Sequence, residues 1–389
     1  MTTESILLGL SSLSAAIWLG LLLFWGQFWR ADQRLRAKED FEPAQWPTVA
    51  VVIPARNEAE LIGKAVRSHL SQTYIGNLSL VLVDDQSTDE TSAIAAQAAS
   101  DLGKKEALTI LPGSSLPPGW TGKLWAMEQG YRFLQQNSPD YILFTDADIE
   151  HSTENIQQLI TKAEAQGLNL VSLMVRLRCH SFWEKQLIPA FVFFFQLLYP
   201  FPWVNNPIKK TAAAAGGCTL IRFSALEQIQ GLQSIRHALI DDCALGAAIK
   251  ATGPIWLGLS TTTRSLRKYP TLESIWAMVT RSAYTQLNYS PALLVGTVLG
   301  MLLVYLLSPT SVVLGLFLGS WMLSLVGLTG WLLMALSYRP TLQLYGGRSW
   351  QAFTLPIIAL LYTAMTLDSA RQHWVGQGGA WKGRIYTTK

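Results

Sequence analysis

Pairs of acidic residues follow apolar stretches at several points of this sequence. The run YILF at 141–144 leads to Asp146 and Asp148, which are separated by one residue. Hard divalent cations prefer oxygen ligands, so Asp148 is a candidate ligand for Mg²⁺ or Mn²⁺ and Asp146 a candidate contact for a ribose or sugar hydroxyl. Such a pair is also an ordinary polar ending of a buried strand, and on its own it leaves both interpretations open.

A second carboxylate pair, Asp84 and Asp85, ends the apolar run LSLVLV. An aspartate at this point can accept hydrogen bonds from the imide of a base or from a ribose hydroxyl. The alternative is helix capping, which the Ser-Thr-Asp cluster at 87–89 can also provide. The segment PARNE at 54–58 ends the preceding apolar run in the same way.

A glycine-flanked lysine, Lys123, precedes a helical pattern in GWTGKLWAMEQG at 119–130. A helix amino terminus with a nearby lysine suits an anionic diphosphate, although a lysine at a helix start is often only solvated. Neither the dinucleotide fingerprint GxGxxG nor the phosphate loop GxxxxGK[ST] follows the first strand. Carboxylates at strand ends therefore take the place of a glycine-rich phosphate loop.

Two adjacent aspartates, Asp241 and Asp242, open the helical pattern DDCALGAAIK. One of them is a candidate general base that deprotonates an attacking hydroxyl, and helix capping is the alternative. Arg281 lies at the mouth of a long apolar region, where it can stabilise a leaving diphosphate or extend its charged head to the membrane surface. No single motif decides the function, and their order along the chain is more informative.

The composition indicates that part of the chain lies in lipid. Only 14% of the residues are charged, whereas soluble domains carry roughly 25%. Charge-free runs at 5–29, 282–338 and 349–367 are long enough to span a bilayer, and the second is expected to break near SPTS at 308–311. A net charge of +4 argues against a nucleic-acid partner, and the widely spaced cysteines are typical of reduced thiols.

Basic residues set the predicted orientation, because they favour the cytoplasmic side of a membrane. The first span is followed by Arg30, Arg34, Arg36 and Lys38. This distribution places the amino terminus outside and the next domain in the cytoplasm of an inner-membrane protein. The tail is also basic and contains Arg371, Lys382, Arg384 and Lys389. With four spans this tail would lie outside, which violates the same rule. This conflict leaves open whether 350–367 crosses the bilayer or is re-entrant.

Strand and helix patterns alternate between the first span and the second apolar region. Short apolar runs at 48–55, 78–85, 107–113 and 141–148 are typical of buried strands, and helical patterns separate them. This alternation predicts an α/β domain with a mostly parallel sheet, whose ligands lie beyond the carboxyl ends of the strands. The proline-rich run 186–208 is apolar but is expected to lie in the membrane interface, since motifs on both sides of it need one another.

The order of these motifs resembles the inverting glycosyltransferases of family 2, which have a GT-A (Rossmann-like) fold. The motifs are PARNE, VDDQSTDET, a GK-helix, DAD, GGC and DDxxL. With one anchor in front and a hydrophobic tail ending in WKGRIY, the layout resembles the membrane-bound hopene-associated glycosyltransferases. We expect an anchor at 1–33, a GT-A domain at 34–285 and a carboxy-terminal membrane region at 286–389 with two to three spans.

The resemblance implies a role for each matching position. The nucleotide pocket would be lined by Pro54, Arg56, Glu58 and Asp85. Lys123 would lie near the diphosphate, Asp146 and Asp148 would form the metal-binding pair, and Gly217 and Cys218 would shape the acceptor side. Asp242 would be the base, with Asp241 where glutamate is usual. Of the QxxRW motif of processive relatives, the stretch 278–282 retains only Arg281.

The resemblance therefore implies transfer of one sugar from a nucleotide-sugar donor, with a UDP-sugar expected, to the hydroxyl of a lipid acceptor. The metal would hold the leaving diphosphate. Two alternatives stay open: a processive polysaccharide synthase and a non-catalytic nucleotide-sugar-binding scaffold of the membrane. The absent QxxRW motif opposes the first, and the presence of every expected acid opposes the second.

Overall fold

The computed structural model describes residues 3–35, 41–377, 380–381 and 384–385. Arg36 and Lys38 of the predicted basic segment, and Lys382 and Lys389 of the tail, lie outside the described residues. The described strands are β1 (Val49–Ala55), β2 (Leu78–Asp84), β3 (Leu108–Pro112), β4 (Tyr141–Phe144), β5 (Ile149–Glu150), β6 (Leu170–Arg176), β7 (Thr219–Arg222), β8 (Ile255–Ser265), β9 (Ala380–Trp381) and β10 (Arg384–Ile385).

The helices alternate with these strands and then continue without them. They are α1 (Thr3–Phe24), α2 (Ile62–Leu70), α3 (Thr91–Asp101), α4 (Gly122–Leu134), α5 (Asn155–Gln166), α6 (Phe182–Leu198), α7 (Phe201–Val204), α8 (Phe223–Gln228), α9 (Asp241–Lys250), α10 (Leu272–Thr280), α11 (Pro291–Met301), α12 (Leu307–Leu318), α13 (Trp321–Leu344) and α14 (Leu355–Trp374).

The central sheet has eight strands in the order β3-β2-β1-β4-β7-β6-β8-β5. Strands β3, β2, β1 and β4 run parallel, and β6 runs parallel to β8. Strand β7 is antiparallel to both β4 and β6, and β5 is antiparallel to β8. The predicted α/β class is confirmed, and the sheet is mixed.

Helices cover both faces of this sheet. One face buries apolar side chains of α2, α3 and α5, and the other buries those of α4, α8 and α9. Because the strands are apolar on both faces, the polar residues that follow β1, β2 and β4 are left at the carboxyl edge. The parallel strands β1, β2 and β4 therefore bring PARNE, VDD and DAD to one end of the sheet.

Among the described residues, four helices are long and apolar enough to span a membrane: Thr3–Phe24, Pro291–Leu318, Trp321–Leu344 and Ser349–Trp374. The second is continuous, because a π-helical turn at Leu302–Leu306 joins α11 to α12. The predicted break near SPTS is wrong. Pro309 lies in the first turn of α12, and the chain turns instead at Gly319, whose φ of 69° ends the helix in the left-handed region.

Polar contacts with α1 explain why SPTS stays helical. The carbonyl of Val304 accepts a hydrogen bond from the indole of Trp18 at 2.8 Å. Ser308 contacts Ser14 at 3.0 Å between hydroxyl oxygens, and Ser311 contacts Ser11 in the same way. Neighbouring helices and local π-turns satisfy backbone groups that a proline disturbs in a membrane helix. The serines therefore join two helices rather than forming a loop.

The apolar segment predicted to lie in the interface forms α6 and α7. Helix α6 has 17 residues, and its buried side chains belong to two cores. Ile188 and Val192 pack with the sheet domain, whereas Leu187 and Phe193 pack with the membrane helices. Helix α6 therefore joins the two parts of the molecule.

Tertiary contacts fix the residues before the last apolar helix and those at its end. Its first turn follows Tyr345, whose hydroxyl accepts a hydrogen bond from the backbone of Leu177. At its other end Asp368 accepts a hydrogen bond from Trp276 at 2.8 Å, and His373 stacks on Tyr289 with ring centroids 4.4 Å apart. The segment 349–374 thus follows a contact with the residue after β6 and ends beside α10 and Tyr289.

Candidate active site

The loops after β1 and β2 are tied together by side-chain hydrogen bonds. The backbone of Asn57 donates to the Ser87 hydroxyl at 3.0 Å, and the backbone of Thr88 donates to Asn57 Oδ1 at 2.8 Å. The guanidinium of Arg56 donates to the Asp85 carbonyl at 2.6 Å. The two loops therefore form one edge of the site.

Asp84 and Asp85 have different surroundings. Asp84 accepts hydrogen bonds from the backbone of Ser87 at 2.9 Å and from the Ser92 hydroxyl, so it stabilises the loop and the start of α3. Asp85 is fully buried, and its Oδ2 lies 3.9 Å from Arg56 Nη1. Asp84 therefore stabilises the loop without capping α3, whose N-cap is Glu90, and Asp85 remains the candidate for a nucleotide contact.

Lys123 connects two of the predicted carboxylates. It lies in the first turn of α4, and its Nζ is 2.8 Å from Asp146 Oδ1 and 3.2 Å from Asp241 Oδ2. Burial lowers the pKa of Lys123, but the attraction of Asp146 and Asp241 is larger and raises it overall. Lys123 is therefore a charged, fixed ammonium rather than a solvated side chain.

Asp242 is held by backbone N–H groups beside this ion-pair cluster. Its Oδ2 accepts a hydrogen bond from Gly216 at 3.0 Å, and its Oδ1 accepts one from Cys243 at 2.8 Å. A Cβ on Gly216 would lie 3.0 Å from Lys123 Nζ, so the glycine allows the backbone to approach the cluster closely. The bond to Cys243 lies within the first turn of α9, where Asp242 is itself a helical residue and Ile240 is the N-cap.

The electrostatics separate the two adjacent aspartates. Burial raises the pKa of Asp242 to about 6, and the negative charge of Asp241 adds to this shift, while Lys123 and the two backbone donors oppose it. Asp241 is instead paired directly with Lys123. A carboxylate that titrates near neutral pH is suited to accept a proton from an attacking hydroxyl.

Asp148 contacts a different cation. Its Oδ2 accepts a hydrogen bond from the Ser265 hydroxyl at 2.7 Å and lies 3.3 Å from Arg267 Nε. Arg267 also donates from Nη2 to both oxygens of Glu58, at 2.7 and 2.9 Å. Glu58, Arg267 and Asp148 therefore form a continuous charged row. Asp146 and Asp148 point to different partners because they lie in the turn between β4 and β5.

The chemistry of these donors fits a divalent cation that also binds phosphate. Among the described residues, no group of three or more His, Cys, Asp or Glu side chains is placed to hold a metal by itself. The contacts of Asp146 use Oδ1 and those of Asp148 use Oδ2, so each carboxylate has a second oxygen for a cation. Mg²⁺ is usually held by one or two carboxylates together with substrate phosphates and water.

Other predicted site residues are arranged less directly. Pro54 is buried in β1. The Cys218 side chain is fully buried and receives a weak hydrogen bond from Asn155, and its role on the acceptor side stays a prediction. The carbonyl of Gly217 accepts a hydrogen bond from Thr145. Gly216, rather than Gly217, borders the charged cluster.

Arg281 lies at the end of α10, exposed and near the charged row. Burial raises the pKa of the nearby Tyr269, and the charges of Arg267, Asp148, Arg281 and Asp146 all act on that phenol. Tyr269 therefore lies within the electrostatic influence of Arg281 and of both aspartates. No sequence pattern pointed to Tyr269, because a lone tyrosine in a loop has no characteristic spacing.

A polar bridge connects the site with the membrane region. The side-chain amide nitrogen of Gln286 donates a hydrogen bond to the Tyr199 hydroxyl at 2.8 Å. Burial raises the pKa of Tyr199, and the neighbouring Cys243 and Asp242 raise it further. Tyr199 thus lies beside the candidate base, at the end of α6. Sequence analysis missed both Tyr199 and Gln286.

The packing of α9 leads to a prediction about Gly246. A Cβ at this position would lie 2.7 Å from the Ala213 carbonyl carbon and 2.9 Å from the Ala214 nitrogen. Gly246→Ala is expected to displace α9 and to lower the free energy of unfolding by about 1–3 kcal/mol, measured as a lower Tm in detergent. Gly300→Ala is the matched control, since its Cβ would contact nothing within 4 Å. An equal Tm for both variants would contradict the packing argument.

Comparison with known proteins supports the predicted family and fold. Residues 50–230 match the family model described as glycosyl transferase family 2. The chain therefore contains a glycosyltransferase family 2 domain, as the order of its motifs predicted. The described architecture is also similar to a mannosyltransferase from Pyrobaculum calidifontis solved in complex with GDP-Man and Mn²⁺. The TM-score is 0.56 at 18% identity, covering 95% of this chain and 98% of that chain, and this likeness confirms the GT-A fold.

Sequence relatives match over shorter regions. The chain is 36% identical over 104 residues to glucosyl-3-phosphoglycerate synthase of Mycolicibacterium smegmatis, covering 26% of this chain and 31% of that protein. It is 31% identical over 139 residues to undecaprenyl-phosphate 4-deoxy-4-formamido-L-arabinose transferase of Pectobacterium carotovorum, covering 35% of this chain and 39% of that protein. The chain spans less than half the length of these relatives.

Proposed function

We propose that the protein is a membrane-bound inverting glycosyltransferase that moves one sugar from a nucleotide-sugar donor to the hydroxyl of a lipid. One observation carries this proposal. Lys123, Asp146, Asp241 and Asp242 converge at the carboxyl edge of the sheet, beside the Tyr199–Gln286 bridge to the apolar helices. The site thus combines anion-binding and proton-accepting groups next to a route for a lipid.

The donor would lie along the loops after β1 and β2. Asp85 and Arg56 suit the base and ribose, and Lys123 with the amino terminus of α4 suits the diphosphate. We propose a UDP-sugar donor; the structural neighbour that binds GDP-Man supports a nucleotide sugar in general. A Mg²⁺ or Mn²⁺ ion held by Asp148 and Asp146 would offset the negative charge on the departing nucleoside diphosphate.

The transfer itself would be a single displacement. The acceptor oxygen attacks the anomeric carbon, its proton passes to Asp242, and the bond from that carbon to the nucleoside diphosphate breaks. Lys123 would stabilise the diphosphate oxygen that gains charge. Because Asp242 and the leaving group would lie on opposite faces of the sugar, one displacement inverts the anomeric centre.

The acceptor is proposed to be a lipid because the candidate base faces the membrane part of the molecule. Tyr199 follows α6, whose side chains pack in both cores, and Gln286 precedes the second apolar helix. A relative named for transfer to undecaprenyl phosphate supports a lipid-linked acceptor. The layout also resembles the hopene-associated enzymes, so a hopanoid hydroxyl is the first acceptor to test.

The proposed function is tested by supplying membranes that contain the protein with a panel of radiolabelled nucleotide sugars. The expected result is label in the organic-solvent extract with one donor, and none in membranes that contain Asp242→Asn. Label that stays in water-soluble products would reject the lipid acceptor. A processive synthase would instead give label in a high-molecular-mass polymer.

The raised pKa of Asp242 predicts the pH dependence of transfer. Its pKa is about 6, so the fraction of the carboxylate that can accept a proton falls about tenfold per pH unit below that value. We expect kcat/KM to be constant near pH 7.5 and to fall below pH 6. Asp241→Asn removes the negative charge that raises this pKa, and it also releases Lys123. The acid limb of the pH profile of this variant should therefore move to lower pH.

Steady-state rates from pH 4.5 to 8.5 measure both effects. An acid limb that Asp241→Asn leaves in place, or moves to higher pH, would contradict the assignment of Asp242 as the titrating base.

We also propose that the sheet domain and the carboxy-terminal tail both face the cytoplasm of the inner membrane. Helices α1 and α13 and the 291–318 helix would cross the bilayer, and the 349–374 segment would be re-entrant. Two observations support this: Tyr345, just before the segment, contacts Leu177 after β6, and Asp368 and His373 near its end contact Trp276 and Tyr289, which precede the 291–318 helix. The basic residue Arg371 near its end would then obey the positive-inside rule.

Cysteine labelling with a membrane-impermeant maleimide checks this orientation, in a background that carries Cys179→Ser. Ser320→Cys, in the turn between α12 and α13, should be labelled in intact cells. Gln377→Cys, an exposed position after α14, should be labelled only after permeabilisation. Labelling of both positions in intact cells would show that the last segment crosses the membrane.

A further inference from the structure

The charged row formed by Glu58, Arg267 and Asp148 has no counterpart in the roles that the motifs suggest. Arg267 follows β8, more than a hundred residues after the Asp-x-Asp pair. Its side chain is 31% exposed, whereas Glu58 and Asp148 are 9% and 10% exposed. The guanidinium therefore neutralises two carboxylates that are almost removed from water, where an unpaired charge is costly.

Arg267 contacts Glu58 more closely than it contacts Asp148. Two hydrogen bonds from Nη2, at 2.7 and 2.9 Å, bind it to Glu58, while Nε lies 3.3 Å from Asp148 Oδ2. Asp148 is also fixed from β8 by the Ser265 hydroxyl at 2.7 Å and by Leu266, whose N–H donates to the Asp148 carbonyl. The weaker contact is thus the one to the candidate metal ligand.

We propose that Arg267 is an internal counter-ion that competes with a divalent cation for Asp148. A cation on the Asp148 carboxylate would lie close to the guanidinium, and like charges at such distances repel. Arg267 would then give up Asp148 and keep its two hydrogen bonds to Glu58. This inference rests on the proposed function only for the identity of the cation.

The arrangement explains how the site is kept intact without donor. Without a cation, Arg267 balances Asp148 and Lys123 balances Asp146, so no carboxylate of the pair is left uncompensated. The diphosphate of a donor would bring both negative charge and oxygen ligands, which favour the exchange of guanidinium for metal. Cation and donor would therefore bind together much more tightly than the cation alone.

Binding of Mn²⁺ to the detergent-solubilised full-length protein, without nucleotide, tests the competition by electron paramagnetic resonance. Removing the competing charge with Arg267→Gln should tighten Mn²⁺ binding at least about threefold. Lys268→Gln is the matched control. It removes the same charge at the next position, where the side chain pairs with exposed Glu60, and it should change the affinity little.

Changing Glu58, the other carboxylate that Arg267 contacts, should have the opposite effect on Mn²⁺ binding. Glu58→Gln removes the other anchor of Arg267, so the guanidinium should hold Asp148 more firmly and weaken Mn²⁺ binding. Glu60→Gln is the matched control for this change. If Arg267→Gln does not fold, as judged by circular dichroism, Arg267→Lys replaces it. A lysine cannot bridge both carboxylates, so it should also bind Mn²⁺ more tightly than the unchanged protein.

The proposal is overturned if the folded Arg267 variant binds Mn²⁺ no more tightly than the unchanged protein. It is also overturned if Lys268→Gln has an equal effect, or if no variant binds Mn²⁺. Because no sugar transfer is measured, failure here leaves the proposed glycosyltransferase activity standing. Conversely, absent transfer in the labelled-donor assay would reject that activity without affecting the metal measurements.

Discussion

Asp242→Asn is expected to abolish sugar transfer while donor binding survives. The amide is nearly isosteric with the carboxylate, but it cannot take a proton from the acceptor hydroxyl. A positioned general base typically contributes about 10²–10⁴-fold to a rate, so kcat should fall by at least about 10²-fold. Donor affinity should change little, because the contacts of Asp242 are to the backbone of Gly216 and Cys243.

Transfer is measured with the labelled donor, and binding by calorimetry with the same nucleotide sugar or its nucleoside diphosphate. Asp241→Asn is the adjacent control and should retain measurable transfer, since Asp241 acts through Lys123. Normal transfer by purified Asp242→Asn would show that another group is the base. Loss of donor binding together with transfer would indicate a structural role instead.

Lys123→Met is expected to lower kcat by about 10²–10³-fold, the usual effect of removing one group that stabilises developing charge. Methionine keeps the length of the side chain and removes the ammonium that lies 2.8 Å from Asp146 and 3.2 Å from Asp241. The same change removes an influence that lowers the pKa of Asp242. The acid limb of the pH profile should therefore move above pH 6, opposite to the shift for Asp241→Asn.

Lys64→Met is a suitable control, because Lys64 is an exposed residue of α2. It should leave both kcat and the acid limb unchanged. If Lys123→Met lowers the rate but leaves the pH profile unaltered, then Lys123 does not influence the pKa of Asp242. Such a result would contradict the close cluster around Gly216.

Much of the fold was predictable because it depends on local patterns. Apolar runs of strand length, separated by helical patterns, predicted β1, β2 and β3 to within two residues. Gly103, with a φ of 65°, follows the end of α3, where a glycine is typical. The antiparallel insertion of β7 was not predictable, because pairing partners depend on contacts between strands distant in the sequence.

The membrane region shows where composition misleads. Serine and proline in SPTS resemble a turn, yet the serines contact α1 and the segment stays helical. For the last run, charge-free length left open whether it crosses the bilayer or is re-entrant. Only the tertiary contacts of Asp368 and His373 place its end beside α10 and the segment that follows it.

The candidate site was predictable where the motifs themselves carry the chemistry. The acids and Lys123 were identified from their positions after strands or before helices, and the structure brings Lys123, Asp146, Asp241 and Asp242 together. Arg267, Gly216 and Tyr199 were missed. Their importance comes from neighbours far along the chain, and a single arginine, glycine or tyrosine has no spacing that reveals such a partner.

The anomeric configuration of the first glycosylated product tests the central claim most directly. Proton NMR of the purified product, compared with the donor, measures it from the coupling constant of the anomeric proton. A single displacement assisted by Asp242 predicts a product whose anomeric configuration is inverted relative to the donor. A product that retains the donor configuration would contradict this account, because retention requires either two displacements or attack from the face of the leaving group.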